Sequence, residues 1–238
     1  MSYFITGTDT GVGKTLVSCA LLQALAAQDK RVVGFKPVAA GCDDEDHNED
    51  ALQLRAASNI LVSYGQINPY CFAHPVAPHI AARNSGVCIE LSRILATYRE
   101  LAGQADEVVV EGAGGFLVPL NENKDSADLA VELGLPVILV VGMRLGCLNH
   151  ALLTLRVIAD YGLECAGWVA NVLDADMPAL QQNIDALRER VAAPLLGVIP
   201  YQAQPDAKIA AGYLDLGLLG APTSTSAFPE KTGQDDRI

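Results

Sequence analysis

The stretch GTDTGVGKT at residues 7–15 lies between a short apolar run at residues 3–5 and a helix-like stretch at residues 16–27. A strand, a glycine-rich loop and a helix in this order direct backbone N–H groups and the positive end of a helix dipole at one point. Lys14 and Thr15 add an ammonium group and a hydroxyl group there. The combination predicts a phosphate-binding loop with a place for Mg²⁺, and it sets the first strand and helix of the fold.

The first glycine of this loop does not occupy the position that it has in the standard P-loop. The standard P-loop has a glycine at the position of Thr8, whereas this chain has its glycine one step earlier, at Gly7. A dinucleotide-binding turn is a poorer interpretation, because Leu16 occupies the position of its third glycine. We therefore interpret residues 7–15 as a variant P-loop.

Uninterrupted apolar runs alternate with helical stretches along the rest of the chain. With the run at residues 3–5, the apolar runs lie at residues 32–35, 108–110, 137–141, 168–172 and 195–199. The helical stretches lie at residues 16–27, 90–102, 149–161 and 178–191. Strands without polar alternation are typical of a parallel sheet buried on both faces, with helices as its crossovers. We predict an α/β fold of the P-loop NTPase type: a doubly wound, mostly parallel sheet with helices on both faces.

Length and composition indicate how the chain is divided. We find no internal repeat, and we expect residues 1–221 to form a single P-loop domain. Residues 222–238 are rich in Thr, Ser, Pro, Gly and charge and lack apolar periodicity. We expect them to form a loose C-terminal tail.

The charge balance argues against some classes of partner. The net charge is −12 with only 16 Lys and Arg residues, whereas a nucleic-acid surface needs clustered cations. No apolar run approaches the roughly 18 residues of a membrane span, and the N-terminus lacks the pattern of a signal peptide. We expect a cytoplasmic protein that acts on small molecules, without nucleic acid or membrane as partner.

The cysteines and histidines suggest no metal site. Cysteine occurs at positions 19, 42, 71, 88, 147 and 165, without the spacing of a metal finger. We expect all of them to be reduced thiols. Residues 71–74 and His79 are predicted to lie in a proline-containing loop, to which we assign no metal.

Ligands of such sheets sit outside the carboxyl ends of the strands, so the residues directly after each strand are the candidates. Lys36 follows the second run and precedes Pro37, which keeps it extended and offers a second cation. Glu111 directly follows the run at 108–110 and precedes a loop of glycine and alanine at 112–115. This resembles a Walker B position with Glu in place of Asp, and the glycines allow close approach of a ligand.

Three further features leave alternatives open. Acidic residues between positions 43 and 50 open a helix, and one of them is a candidate Mg²⁺ ligand, but the pattern does not choose which. Residues 146–150 form either a second anion site or an ordinary helix start capped by Asn149. Asn171 directly follows the apolar residues 168–170, and its amide can hydrogen-bond to a purine edge without distinguishing adenine from guanine.

Taken together, the motifs resemble the dethiobiotin synthetase family from about residue 2 to residue 220. They lie at residues 7–15, 36–39, 68–70, 78–79, 110–115, 145–150, 167–171 and 199–201. The resemblance implies a homodimeric, Mg²⁺- and ATP-dependent ligase of biotin biosynthesis. Such an enzyme closes a ureido ring on 7,8-diaminopelargonate with CO₂ and releases ADP and phosphate. The alternative is a P-loop ATPase switch of the partitioning or metallochaperone type that acts on a protein partner.

The resemblance also implies roles for individual residues. The ATP phosphates would be held by Lys14 and the amides of Gly11, Val12, Gly13, Lys14, Thr15 and Leu16, beside Gly112, Ala113 and Gly114. The Mg²⁺ ligands would be Thr15, Asp50 and Glu111. Lys14 and Lys36 would act in catalysis, with Lys36 beside the reacting carbamate and γ-phosphate. The diamine would meet Thr10, Lys36 and Ala40, and its carboxylate would meet Gly146, Cys147, Leu148 and Asn149 of the partner subunit. Asn171, Pro200 and Tyr201 would line the adenine pocket.

Position 40 departs from the family pattern. Relatives carry a serine that hydrogen-bonds near the substrate, whereas this chain has Ala40. Loss of one hydrogen bond costs on the order of 1 kcal/mol, which weakens binding without abolishing the reaction. The change leaves room for an altered substrate.

Overall fold

The computed structural model describes residues 2–43 and 47–220. Within these residues the strands are β1 Tyr3–Gly7, β2 Val32–Phe35, β3 Val38–Ala40, β4 Tyr70–Phe72, β5 Glu107–Glu111, β6 Val137–Met143, β7 Cys165–Val172 and β8 Leu195–Ile199. The α-helices are α1 Lys14–Ala26, α2 Glu49–Ala57, α3 Tyr64–Ile67, α4 Pro78–Asn84, α5 Leu91–Ala102, α6 Ser126–Leu133, α7 Cys147–Asp160, α8 Leu180–Arg188 and α9 Ala207–Ala211. A 3₁₀ turn follows at Leu216–Leu218.

The main sheet has six parallel strands in the order β2-β5-β1-β6-β7-β8. Every residue of β1, β5, β6 and β7 is buried. Neighbours along a strand enter different cores: Phe4 packs in one hydrophobic cluster and Ile5 in the other. Because successive side chains point to opposite faces, both faces of the sheet are covered. The predicted doubly wound α/β fold is confirmed, and so are all six predicted strands of the sheet.

A second, two-stranded sheet was not predicted. Strands β3 and β4 pair in parallel, with Ala39 beside Cys71. The loop predicted around residues 71–79 is wrong, because Cys71 lies in β4 and His79 lies in α4. Three-residue strands are too short to show a hydrophobic period, so the sequence pattern did not reveal them.

The prediction of reduced thiols is wrong for two of the cysteines. Cys42 and Cys71 form a disulfide, with their Cα atoms 6.1 Å apart. Cys19, Cys88, Cys147 and Cys165 are free. The two bonded residues are 29 positions apart in sequence, and only the pairing of β3 with β4 brings them together.

Among the described residues, no helix combines the length and hydropathy needed to cross a bilayer. The tail predicted at 222–238 lies outside the described residues, and the division at residue 221 stays a prediction.

Candidate active site

The irregular glycine of the P-loop has a packing reason. A Cβ at Gly7 would lie 2.6 Å from Val12 Cγ2, so this position admits no side chain. The N–H of Thr8 donates to the Val140 carbonyl at 3.0 Å, which extends the pairing of β1 with β6 into the loop. Thr8 therefore still hydrogen-bonds to β6, and the loop begins after it.

Helix α1 starts directly from the loop. Gly13 precedes it with φ of 90°, in the left-handed region, and no described side chain caps the helix. The first-turn N–H groups of an uncapped helix are available to an anion. A Cβ at Gly13 would lie 2.2 Å from Asn171 Nδ2, and that amide nitrogen donates to the Val12 carbonyl at 2.9 Å. Asn171 thus packs against the P-loop, with its amide oxygen left as an acceptor.

Lys14 is buried beside the same loop. Its Nζ donates to the Asp9 carbonyl at 2.9 Å. Burial, and then the nearby charge of Lys36, lower the pKa of the Lys14 ammonium from 10.5 to about 8. A phosphate arriving in the loop would supply the counter-charge that this ammonium lacks.

Four side chains converge at the carboxyl ends of β2 and β5. Lys36 Nζ donates to Glu111 Oε1 at 2.6 Å and to Asp50 Oδ2 at 3.1 Å. Thr15 Oγ1 donates to the same Glu111 oxygen at 2.9 Å. Sheet register explains the pair: Phe35 of β2 lies beside Val110 of β5, so the residues that follow them are also neighbours.

Burial makes these charges depend on one another. Glu111 is 0% exposed and Lys36 is 4% exposed. Burial opposes the charge of Lys36, but the Glu111 and Asp50 carboxylates outweigh it and raise the pKa of the ammonium. Burial likewise opposes the charge of Asp50, but Lys36 and Thr15 lower the pKa of its carboxyl. Lys36 therefore keeps its positive charge at neutral pH, held between Glu111 and Asp50.

The same oxygens suit a divalent cation. Glu111 Oε2 is buried and has no hydrogen-bond partner among the described residues. Asp50, Glu111 and Thr15 offer two carboxylates and a hydroxyl, and Mg²⁺ usually takes one or two carboxylates together with phosphate oxygens and water. No group of three or more His, Cys, Asp or Glu side chains able to hold a metal occurs in the described part of the chain. The set therefore fits Mg²⁺ bound with a nucleotide better than a metal bound by protein alone.

A cavity of about 540 Å³ opens beside this group. Its lining includes six of the predicted site residues: Thr10, Lys36, Ala40, Asp50, Ala113 and Gly114. Gly114 has φ of 65°, and a Cβ there would lie 3.4 Å from Thr10 Oγ1. The P-loop and the loop after β5 thus form facing walls, and Ala40 adds no hydroxyl to the space between them.

The predicted loop at 146–149 lies elsewhere and does not line this cavity. Gly146, with φ of 92°, precedes α7, so the interpretation of Asn149 as the helix cap is wrong. Cys147 is buried, and its N–H donates to the Arg144 carbonyl at 3.0 Å. Leu148 and Asn149 are the members of the loop whose side chains reach the surface.

The residues predicted to line the adenine pocket lie together at the carboxyl ends of the neighbouring strands β7 and β8. Asn171 of β7 pairs with Ile199 of β8, and Pro200 and Tyr201 come directly after Ile199. Tyr201 is 48% exposed, while Asn171 is 5% exposed. This end of the sheet is joined to the P-loop through the contact of Asn171 with Val12.

Sequence reasoning missed an ion pair that also lies at the carboxyl ends of the strands. Arg144, directly after β6, pairs with Asp9 of the P-loop, whose other carboxylate oxygen accepts the N–H of Thr10 at 2.7 Å. Arg144 stands at the carboxyl end of a strand, as Lys36 does, and this position in the sequence could have identified it. Asn48 was also missed; it caps α2 and lines the cavity.

Comparisons with known proteins identify the family of this chain and proteins that share its fold. The family model described as AAA domain matches residues 1–208. The ATP-dependent dethiobiotin synthetase BioD of Aromatoleum aromaticum is 55% identical over 214 residues, 88% of this chain and 95% of that protein. The protein of the same name from Nitrosospira multiformis is 53% identical over 218 residues, covering 92% and 96% of the two chains. Among solved structures, the MinD cell division protein of Aquifex aeolicus matches 90% of this chain and 87% of its own with a TM-score of 0.51. At 17% identity, that likeness concerns the fold alone.

Proposed function

This chain belongs to the ATP-dependent dethiobiotin synthetase family, and from that premise we infer its reaction and the part played by each residue. The enzyme is an ATP-dependent ligase that joins 7,8-diaminopelargonate and CO₂ into the ureido ring of dethiobiotin, releasing ADP and phosphate. The observation that carries the residue assignment is the convergence of Lys36, Asp50, Glu111 and Thr15 beside the cavity and the P-loop. We further propose that it works as a cytoplasmic homodimer with Mg²⁺.

The chemistry explains why one lysine lines the cavity and a second lies in the neighbouring P-loop. A neutral amine of the substrate attacks CO₂ and loses a proton, which gives a carbamate. A carbamate oxygen then attacks the γ-phosphorus of ATP and expels ADP, which gives a mixed carbamic–phosphoric anhydride. The second amine attacks the carbamoyl carbon, loses a proton and expels phosphate, closing the ring. Because the second step brings two anions together, Lys14 and Lys36 supply the positive charge that lowers their repulsion.

Mg²⁺ would be held by Thr15, Asp50 and Glu111, and when bound it neutralises charge on the β- and γ-phosphates. In the structure Lys36 contacts both of those carboxylates. We propose that Lys36 gives up these contacts when the metal–nucleotide complex binds. Its ammonium then faces the cavity that it already lines, where the carbamate would lie.

This exchange predicts a gain of metal binding in a lysine variant. Lys36→Met should bind Mn²⁺ without nucleotide at least about tenfold more tightly than the unmodified protein, because two carboxylates lose their competing cation. Electron paramagnetic resonance of free Mn²⁺ measures the affinity. The matched control is Lys30→Met, which removes a lysine 2.8 Å from Glu107 at the opposite end of the sheet. Equal Mn²⁺ affinity in all three proteins would contradict the exchange.

The lowered pKa of Lys14 predicts a pH dependence of nucleotide binding. Below pH about 8 the ammonium is charged and attracts phosphate, whereas above it the free protein holds the neutral amine. ATP affinity should therefore fall as the pH rises through 8, and ATP binding at pH 9 should take up a proton. Calorimetry in two buffers of different ionisation enthalpy measures this uptake. Lys14→Met should show none; the same uptake in that variant would assign the proton to another group.

The homodimer is supported by where the loop at 146–149 stands. Leu145, directly before this segment, is 100% exposed, and Leu153 of α7 is 58% exposed, so large apolar side chains on the same stretch of chain are open to a partner. Because the loop lies outside the cavity of its own chain, we propose that it reaches the cavity of a second copy and holds the substrate carboxylate there.

A switch ATPase is the less favoured alternative. The likeness to MinD concerns the fold, while the relatives at more than half identity carry the synthetase name. The two functions differ in what stimulates ATP turnover. For the ligase, ADP release should require 7,8-diaminopelargonate, bicarbonate and Mg²⁺ together, and omission of any one should remove it. ADP release that ignores the diamine and responds to a protein partner would favour the switch.

A further inference from the structure

The Cys42–Cys71 bond links the two strands of the small sheet, whose residues Ala39 and Ala40 line the proposed substrate cavity. Cys71 is the middle residue of β4, and Cys42 lies two residues beyond the end of β3 at Ala40. Their Cα separation of 6.1 Å is within the usual range for a disulfide. Both residues are partly exposed, so a small thiol can reach them. The bond therefore joins the strand that ends in a cavity residue to its neighbour.

The bond is also connected to the start of α2. The Tyr64 hydroxyl lies 3.7 Å from Cys71 Sγ and accepts the N–H of Asn48 at 2.8 Å. Asn48 caps α2, and its side-chain nitrogen lies 3.5 Å from the carbonyl of Ala40. Asp50 is in the first turn of that helix and contacts Lys36. One short chain of contacts thus runs from the disulfide to a proposed metal ligand.

We propose that Cys42 and Cys71 form a reversible thiol–disulfide site whose oxidised state tightens the substrate cavity. The expected effect of oxidation on substrate binding rests on the roles proposed above for Ala40 and Asp50. The reaction partners are low-molecular-weight thiols and disulfides of the glutathione class. One cysteine thiolate attacks the small disulfide and expels a thiolate, and the second cysteine thiolate then expels the other. The protein loses two electrons and two protons, and the small disulfide becomes two thiols; the reverse reaction restores the cysteines.

Reduction should loosen the wall without dismantling it. The N–H groups of Gly41 and Cys42 still donate to the Phe72 carbonyl, at 2.8 and 3.1 Å. Glu111 and Thr15 lie at the end of β5 and at the start of α1, away from the crosslink in the chain, and Lys36 keeps its 2.6 Å contact with Glu111. We expect KM for the diamine to rise about fivefold on reduction, the effect of one lost hydrogen bond, with kcat changed by less than about twofold. The melting temperature should fall by about 5–10 °C, because the unfolded chain regains the freedom that the crosslink removed.

The test uses the full chain, treated either with dithiothreitol or with oxidised glutathione and then desalted. Alkylation and peptide mass spectrometry should show the 42–71 crosslink in the oxidised sample only. Kinetics should then show the fivefold difference in KM. Cys42→Ser and Cys71→Ser should both resemble the reduced protein and ignore the treatment, while Cys88→Ser, which removes an exposed free thiol, should respond like the unmodified chain.

Two results would overturn the proposal: no crosslink after oxidised glutathione, or a crosslink that leaves KM for the diamine unchanged. The comparison of the two states of the unmodified chain does not depend on the folding of any variant. If neither state turns over the diamine, the proposed function has failed instead, and the crosslink is still read from the peptide masses and the melting temperature.

Discussion

Lys36→Met is expected to lower kcat for dethiobiotin formation about a thousandfold, while weakening ATP binding by less than about threefold. The reason is the place of the ammonium. It lies 2.6 Å from Glu111 and lines the cavity, outside the P-loop that we propose holds the nucleotide. Its charge therefore acts where carbamate and γ-phosphate meet, and its loss should be felt in the transition state rather than in binding. Steady-state kinetics and calorimetric ATP titration measure the two quantities.

Controls separate the role of Lys36 from its contribution to folding. Removing this lysine leaves buried Glu111 without its ion-pair partner, which can destabilise the protein. Lys36→Arg keeps the positive charge and should restore stability, but it should still lose most turnover because the guanidinium does not place its charge at the same point. Lys30→Met should leave both quantities unchanged. Equal losses of kcat and ATP affinity in Lys36→Met would show that Lys36 acts in nucleotide binding and not in the chemical step.

Lys14→Met is expected to weaken ATP binding about a hundredfold and to lower kcat/KM by about three to four powers of ten. Lys14 is buried beside the P-loop, and the Asp9 carbonyl is its hydrogen-bond acceptor in the absence of phosphate. A bound nucleotide gives the ammonium a stronger, anionic partner, so the loss appears in binding and in chemistry together. Calorimetry and initial rates test this, again beside Lys30→Met. Near-normal activity would show that residues 7–15 are not the phosphate cradle.

Much of the fold could be predicted because the main sheet is buried on both faces. Its strands appear in the sequence as continuous apolar runs, and the residues at their carboxyl ends, Lys36 and Glu111, were identified by position alone. Their contact could not be predicted, since it depends on the register of β2 with β5. The small sheet was missed because β3 and β4 have three residues each.

Other parts of the site could not be predicted from the residues alone, because they depend on three-dimensional neighbours. The acidic residues at 43–50 are alike in sequence, and only the family resemblance singled out Asp50; its contact with Lys36 arises because Asn48 caps α2 and places Asp50 in the first turn. The partner of Cys71 was hidden because parallel pairing of β3 with β4 joins segments far apart in the chain. The sequence around Asp50 and around Cys71 does not indicate which distant residue each of them contacts.

The most direct test of the central claim is to follow carbon and ATP together in the purified protein. With ¹³C-bicarbonate, 7,8-diaminopelargonate, ATP and Mg²⁺, mass spectrometry should find dethiobiotin carrying one ¹³C, formed in equal amount to ADP. ATP hydrolysis without labelled dethiobiotin, at the same rate whether or not the diamine is present, would contradict the assignment of this site as a ureido-ring-forming ligase.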